Sequence, residues 1–213
     1  MNSDSASDGT VSGDTGDSLT MEFCALLERW GVEARVKDRA GNVELMSISG
    51  HGSTFSIIEL DGCPINQISI RWKAKRGLVR DVLGNISDDS YNPNNYVPHS
   101  IEYGIPDQRL RTHIVGDLLP KLRIQLDHVR NLPLFGKIIN VRWTGKDFDM
   151  GIIKWLNRDV SLRKSLVNSP ELEINADYYY SSWIMSVKNP SLPSKGLWDC
   201  YRLIAQHLLA PWQ

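Results

Sequence analysis

The run TFSIIELDGCPINQISIRWK, residues 54–73, decides the fold class of this 213-residue chain. Its second arm alternates cleanly: Ile68, Ile70 and Trp72 fall on one side of an extended chain, Ser69 and Arg71 on the other. A period of two is the mark of a strand with one face buried. Residues 54–60 form the first arm, rich in Ile, Phe and Leu, and Asp61-Gly62 between the arms is a turn signal. Two strands joined by so short a connection pair antiparallel.

Upstream, the same reading extends the sheet. Val43, Leu45, Met46 and Ile48 predict a strand between turn signals at Gly41-Asn42 and at Ser49-Gly50-His51-Gly52-Ser53, and residues 32–37 predict another. Leu19, Phe23, Leu26, Leu27 and Trp30 instead recur at helical spacing, with Gly31 placed to end the helix. Residues 1–17 are Ser, Asp, Gly and Thr around a lone Val11, too polar to offset the entropy of ordering, and read as a disordered acidic tail before a globular unit at 18–213.

Downstream, residues 84–106 are dominated by Asn, Asp, Pro, Ser and Gly and read as a long loop. Beyond it, Leu110 and Ile114 predict a short helix. Asp117 is placed to cap another, with Leu118, Leu119, Leu122, Leu126 and Val129 on its apolar face. A strand is expected at 137–143, then helices capped by Asp149 and Asp159, strands at 171–175 and 178–187 around a turn at Ala176-Asp177, and a last helix capped by Ser194. Residues 139–146, INVRWTGK, echo residues 68–75, ISIRWKAK. The echo raises the expectation of two similar halves, 18–83 and 107–213, joined by the 84–106 loop. The fold class is α+β: a mostly antiparallel sheet with helices on one face. Strict β-α-β alternation is absent, which excludes a doubly wound nucleotide fold.

Composition narrows the function classes. Net charge is −1, but Asp4, Asp8, Asp14 and Asp17 all lie in the tail, so the body carries a formal charge of about +3. That is well short of a nucleic-acid binder's usual charge density. Cys24, Cys63 and Cys200 form no CxxC pair, which disfavours a thiolate zinc site and fits a reducing, cytoplasmic compartment. Apolar runs are too short to span a bilayer, so no membrane is expected among the partners. No two of the five histidines stand two to four residues apart, no G-x-S-x-G or Cys–His signature appears, and no metal, cofactor or catalytic residue is assigned.

Two candidate sites remain. Arg71, Lys73, Lys75 and Arg76 surround Trp72, and Arg142 extends the group if its strand pairs alongside; cations beside an aromatic suit a polyanion. The low body charge favours a solvated strand face instead. Tyr178 and Tyr180 are expected on the strand face opposite Tyr179 and Trp183, where exposed tyrosines suit a protein interface. The leading expectation is a non-catalytic binding or adaptor module whose partner is another protein. Phosphate or nucleic-acid binding through the basic strand is the alternative. An enzyme with a spatially assembled site near His51 or the 84–106 loop is a third reading. Asp88, Ser90, Asn92 and Asn94 alternate as calcium ligands do, but the central glycine and terminal Glu of such loops are missing.

Overall fold

The computed structural model describes residues 15–38, 44–46, 52–74, 96–112, 122–132, 136–147, 150–177, 180–188 and 191–210. In chain order these form α1 (Thr15–Arg29), β1 (Glu33–Asp38), β2 (Glu44–Met46), β3 (Gly52–Asp61), β4 (Gln67–Ala74), β5 (Tyr96–Pro106), α2 (Arg109–Thr112), β6 (Arg123–Arg130), β7 (Ile138–Lys146), α3 (Ile152–Arg158), α4 (Val160–Ser165), β8 (Leu172–Asp177), β9 (Ser182–Lys188) and α5 (Lys195–Leu209).

All nine strands join one antiparallel sheet in the order β1-β3-β4-β5-β9-β8-β6-β7, with β2 on β3 alongside β1. The deciding hairpin pairs as its alternation requires: Ile58 faces Ile68, Ser56 faces Ile70, and Gly62 makes the turn at positive φ. Alternation then sorts the strands into two faces. Ile58, Leu60, Ile68, Ile70, Trp72, Ile101, Tyr103, Ile105, Trp183, Met185, Val187, Ile174, Ile124, Val141 and Trp143 are buried beneath the helices. In α1 the buried stripe is Thr20, Phe23, Cys24 and Leu27, at the spacing of one helical face. Gly31, at φ 77, closes that helix in a Schellman turn: Val32 N–H donates to Leu27 and Gly31 N–H to Glu28. In α5 the stripe is Trp198, Tyr201, Ile204, Ala205 and Leu208, and the Trp198 ring packs against Trp30 and Tyr103. The caps read at Asp159 and Ser194 are present, each accepting from the amide three residues on.

Several boundaries differ from the sequence reading. Residues 96–106 of the expected loop are β5, a central strand that pairs with β4 and β9; residues 84–95 lie outside the described residues. The polar look of 96–106 misleads because only Ile101, Tyr103 and Ile105 face the core. Residues 123–130 are strand β6, not the end of a helix capped by Asp117. Ile124 and Leu126 satisfy a period of two as readily as Leu122 and Leu126 satisfy a helix, and pairing with β7 and β8 decides it. Helix α1 begins at Thr15, three residues before the expected start at Ser18. Gly52 and Ser53 belong to β3, and Gly151, not Asp149, caps α3. The turn expected at Ala176-Asp177 falls after Asp177, so Tyr180 stands in a turn and not on a strand.

The echoing segments take unlike places. Strand β4 lies inside the sheet and β7 is its edge, five strands away. Ile70 and Val141, and Trp72 and Trp143, point alike into the core, but Ile68 is buried while Ile139 is 60% exposed. The β7 edge is closed where it would otherwise invite another strand. Trp143 N–H donates to Asn157 Oδ1 at 2.9 Å, and Asn157 Nδ2 donates back to Trp143 O at 2.8 Å. A side-chain amide on α3 thus stands in for a neighbouring strand.

Candidate functional site

The face of the sheet away from the helices carries the polar half of each strand's alternation. One register row across it reads Ile57, Ser69, Glu102, Ser186, Glu173, Gln125, Thr144, and the next reads Glu59, Gln67, Gly104, Ile184, Asn175, Arg123, Lys146. Several charges on this face are paired. Arg71 Nε lies 2.7 Å from Glu102 Oε1, and its guanidinium sits over the Phe55 ring. Arg123 pairs with Glu173 at 2.7 Å, and Asn175 donates to the same carboxylate. Arg35 and Lys37 share Glu59. Asp127 accepts from Thr144 Oγ1 and Gln125 Nε2.

This geometry bears on the basic group read from sequence. Arg71 and Arg142 do point to the same face, but their strands are five steps apart, about 24 Å at the usual strand spacing. Arg142 does not extend the cluster around Trp72. Lys73 pairs with Ser53 and Val97 in the sheet, and Lys75 and Arg76 lie outside the described residues. Trp72 is buried, its Nε1–H donating to Ser56 Oγ at 3.1 Å, so its ring is not available for stacking.

The tyrosine-rich end is placed differently. Tyr178 and Tyr179 lie outside the described residues, and Trp183 is core. Tyr180 is 72% exposed at the β8–β9 turn. The turn's described residues, Tyr180 and Ser181, are tied down. Tyr180 N–H donates to Asp177 Oδ1, Ser182 Oγ–H donates to Tyr180 O, and Ser181 adopts φ 49, rare for a residue with a side chain. Ser181 O also accepts from Asp107 N–H at 2.8 Å.

Asp107 is not among the candidates read from the sequence. It is 5% exposed, and its oxygens accept from Arg109 Nε and Nη2, the Arg109 amide and Trp183 Nε1. The same guanidinium donates to Leu208 O and Ala210 O, capping the end of α5. Burial pushes the Asp107 pKa up, but the hydrogen bonds from Arg109 and Trp183 and the guanidinium charge outweigh it and hold the carboxyl below its usual range. The Asp-x-Arg spacing was the available signal; that it reaches Trp183 and α5 was not legible.

A second inter-element pair joins Asp159, the α4 cap, to His207 near the end of α5, at 3.3 Å, with the Trp155 ring edge-on to the imidazole. The Leu162 amide is the main cause of the lowered Asp159 pKa, and His207 adds to it against a smaller desolvation cost. Burial raises Cys24, Cys200, Tyr103 and Tyr201, keeping thiols and phenols protonated, while ion pairs and hydrogen bonds lower Glu59 and Glu173. Among the described residues, each of these shifts moves a group away from neutral pH. His51 and the run from Asp88 to Asn94 lie outside the described residues. Among the described residues no three His, Cys, Asp or Glu side chains gather as a metal site, and no helix is long and apolar enough to cross a membrane.

No protein-family model, curated protein or solved structure matches the chain.

Proposed function

We propose that this protein is a non-catalytic binding module that acts through protein contacts, with the Tyr180 turn as its anchor. The observation that carries the reading is a largely exposed aromatic on a turn whose backbone is fixed by Asp177, Ser182 and, through Ser181, Asp107. Binding orders side chains and loops at a cost, and a turn already held in place avoids much of it. Tyrosine offers a large contact area with few rotatable bonds and a hydroxyl for the wet rim of an interface. The sheet face beside it supports the same reading: Arg71 and Arg123 are matched there by Glu102 and Glu173, which suits recognition of a mixed protein surface better than a polyanion.

The test is a photo-crosslinking residue placed at position 180 in cells that make the protein, with exposed Gln206 on α5 as the control position. A discrete protein adduct formed at 180 and not at 206 is expected, and Tyr180→Ala should abolish co-purification of that partner. Identical adducts at both positions, or undiminished co-purification with Tyr180→Ala, would overturn the reading.

A further inference from the structure

The end of the β6–β7 hairpin carries features that the protein-binding reading does not use. Val129, Leu132 and Ile139 are 39%, 62% and 60% exposed, and all three belong to this one hairpin end. Val129 lies on the uncovered face of β6. Ile139 is the extra residue where the register shifts: Val129 pairs with Asn140 and Arg130 with Ile138, so Ile139 has no cross-strand partner and is turned out to solvent. The turn is closed on itself: Asn131 N–H donates to Lys137 O, Gly136 N–H to Leu132 O, and Arg130 Nη1 to Gly136 O. A Cβ at Gly136 would overlap the Asn131 side chain and the Leu132 amide, so the tight path requires glycine.

Charge supplies the second, independent observation. From His128 to Lys146 the sequence contains Arg130, Lys137, Arg142 and Lys146 and no Asp or Glu. All four cations are exposed; Arg142 stands opposite Asp127 on β6, so the uniform sign belongs to the hairpin tip, where Arg130 and Lys137 have no acid between them.

We infer that this hairpin end is a docking surface for an anionic lipid bilayer, with Leu132, Ile139 and Val129 entering the interface and Arg130 and Lys137 at the headgroups. Three observations favour lipid over a protein pocket. Two of the three exposed groups, Val129 and Leu132, are of types under-represented among protein hot spots. The strand edge that would bind a peptide is closed by Asn157. The uniform positive sign matches an anionic leaflet. Contact of this kind is interfacial and needs no spanning helix.

The test is co-sedimentation of the full chain with phosphatidylcholine vesicles, with and without about one-third phosphatidylserine. Binding to the anionic vesicles should be stronger by on the order of tenfold or more, and should fall with added salt. Lys137→Ala should weaken it about fivefold and Lys137→Glu or Leu132→Glu by on the order of tenfold or more. Arg29→Glu, the same charge change on α1, should leave it near the parent value. Thermal melts that match the parent confirm that each variant is folded. No pelleting with anionic vesicles at low salt, equal affinity for neutral vesicles, or tip variants that bind like the parent would each overturn the inference. A crosslink from position 132 to a protein without vesicle binding would overturn it too, and would assign the tip to a protein pocket.

Discussion

Two turns at opposite ends of the sheet show how differently a loop can be built into a fold. Strand β6 runs away from the Tyr180 turn toward its own hairpin end, about 23 Å over its eight residues. The Tyr180 turn is continuous with the core: Asp107 receives Trp183 and Arg109, its amide donates to Ser181, and Arg109 caps α5. Among the described residues of the β6–β7 turn, the hydrogen bonds run within the turn: Asn131 to Lys137, Gly136 to Leu132 and Arg130 to Gly136. The first presents one aromatic from a rigid base. The second presents exposed aliphatic and cationic side chains, Val129, Leu132 and Ile139 beside Arg130 and Lys137. A substitution near the first should therefore propagate into stability, and one near the second should be felt mainly by whatever touches it.

The sharpest way to break this contrast is Asp107→Ala. It removes the carboxylate that accepts from Trp183 Nε1 and balances the Arg109 guanidinium, at an expected cost of about 3 kcal/mol. Asp127→Ala on the exposed end of β6 removes bonds from Thr144 and Gln125 and should cost under about 1 kcal/mol. Chemical denaturation of the two variants compares them directly, and equal losses would erase the distinction between the ends.

Acid should reveal the same anchor. Asp107 and Asp159 have folded-state pKa values below their usual range. The stability they contribute is then complete above the unfolded carboxylate value of about 3.9 and drains away as pH falls through the lower folded-state values. Denaturation midpoints should be insensitive to Asp107 and Asp159 between about pH 5 and 7 and drop below about pH 4, with a shallower drop in Asp107→Asn. An unchanged acid slope in that variant would remove Asp107 from the account.

Glycine substitutions give a smaller effect with a sign. Gly136→Ala must displace the backbone of its own turn and should lose about 1–2 kcal/mol. Gly196→Ala, in the first turn of α5 with open space around the added methyl, should gain up to about 0.5 kcal/mol. Smallest of all, Tyr180→Ala should move the melting free energy by less than about 0.5 kcal/mol, because its side chain is surface and the turn is held by backbone and Asp177. A loss of several times that would show the ring to be structural and weaken its role as an anchor.

Much of the architecture is written locally. Strand alternation in 54–73, the Gly31 stop, and the caps at Asp159 and Ser194 each depend on residues within one or two turns of one another, and each is found where the chain places it. The segment 96–106 was read as loop because its core residues, Ile101, Tyr103 and Ile105, are diluted by His99, Ser100, Glu102, Gly104 and two prolines. The segment 123–130 was read as helix because leucines at 118, 119, 122 and 126 imitate a helical stripe. In both, the strand exists because partners on either side complete its hydrogen bonds, which no short window contains.

The sites divide along the same line. That Tyr180 lies near a turn, and that 128–146 carries cations and no acids, can be taken from the residue order, since both are properties of neighbours in the chain. That Arg71 and Arg142 stand five strands apart, that Asp107 holds Trp183 and the end of α5, and that Ile139 is exposed where its echo Ile68 is buried follow from strand order, inter-element contacts and the register shift that leaves Ile139 unpaired. Those are set by pairings between residues as many as a hundred positions apart. Alternation fixes which side of a strand a residue faces; only the packed sheet decides what, if anything, lies on that side.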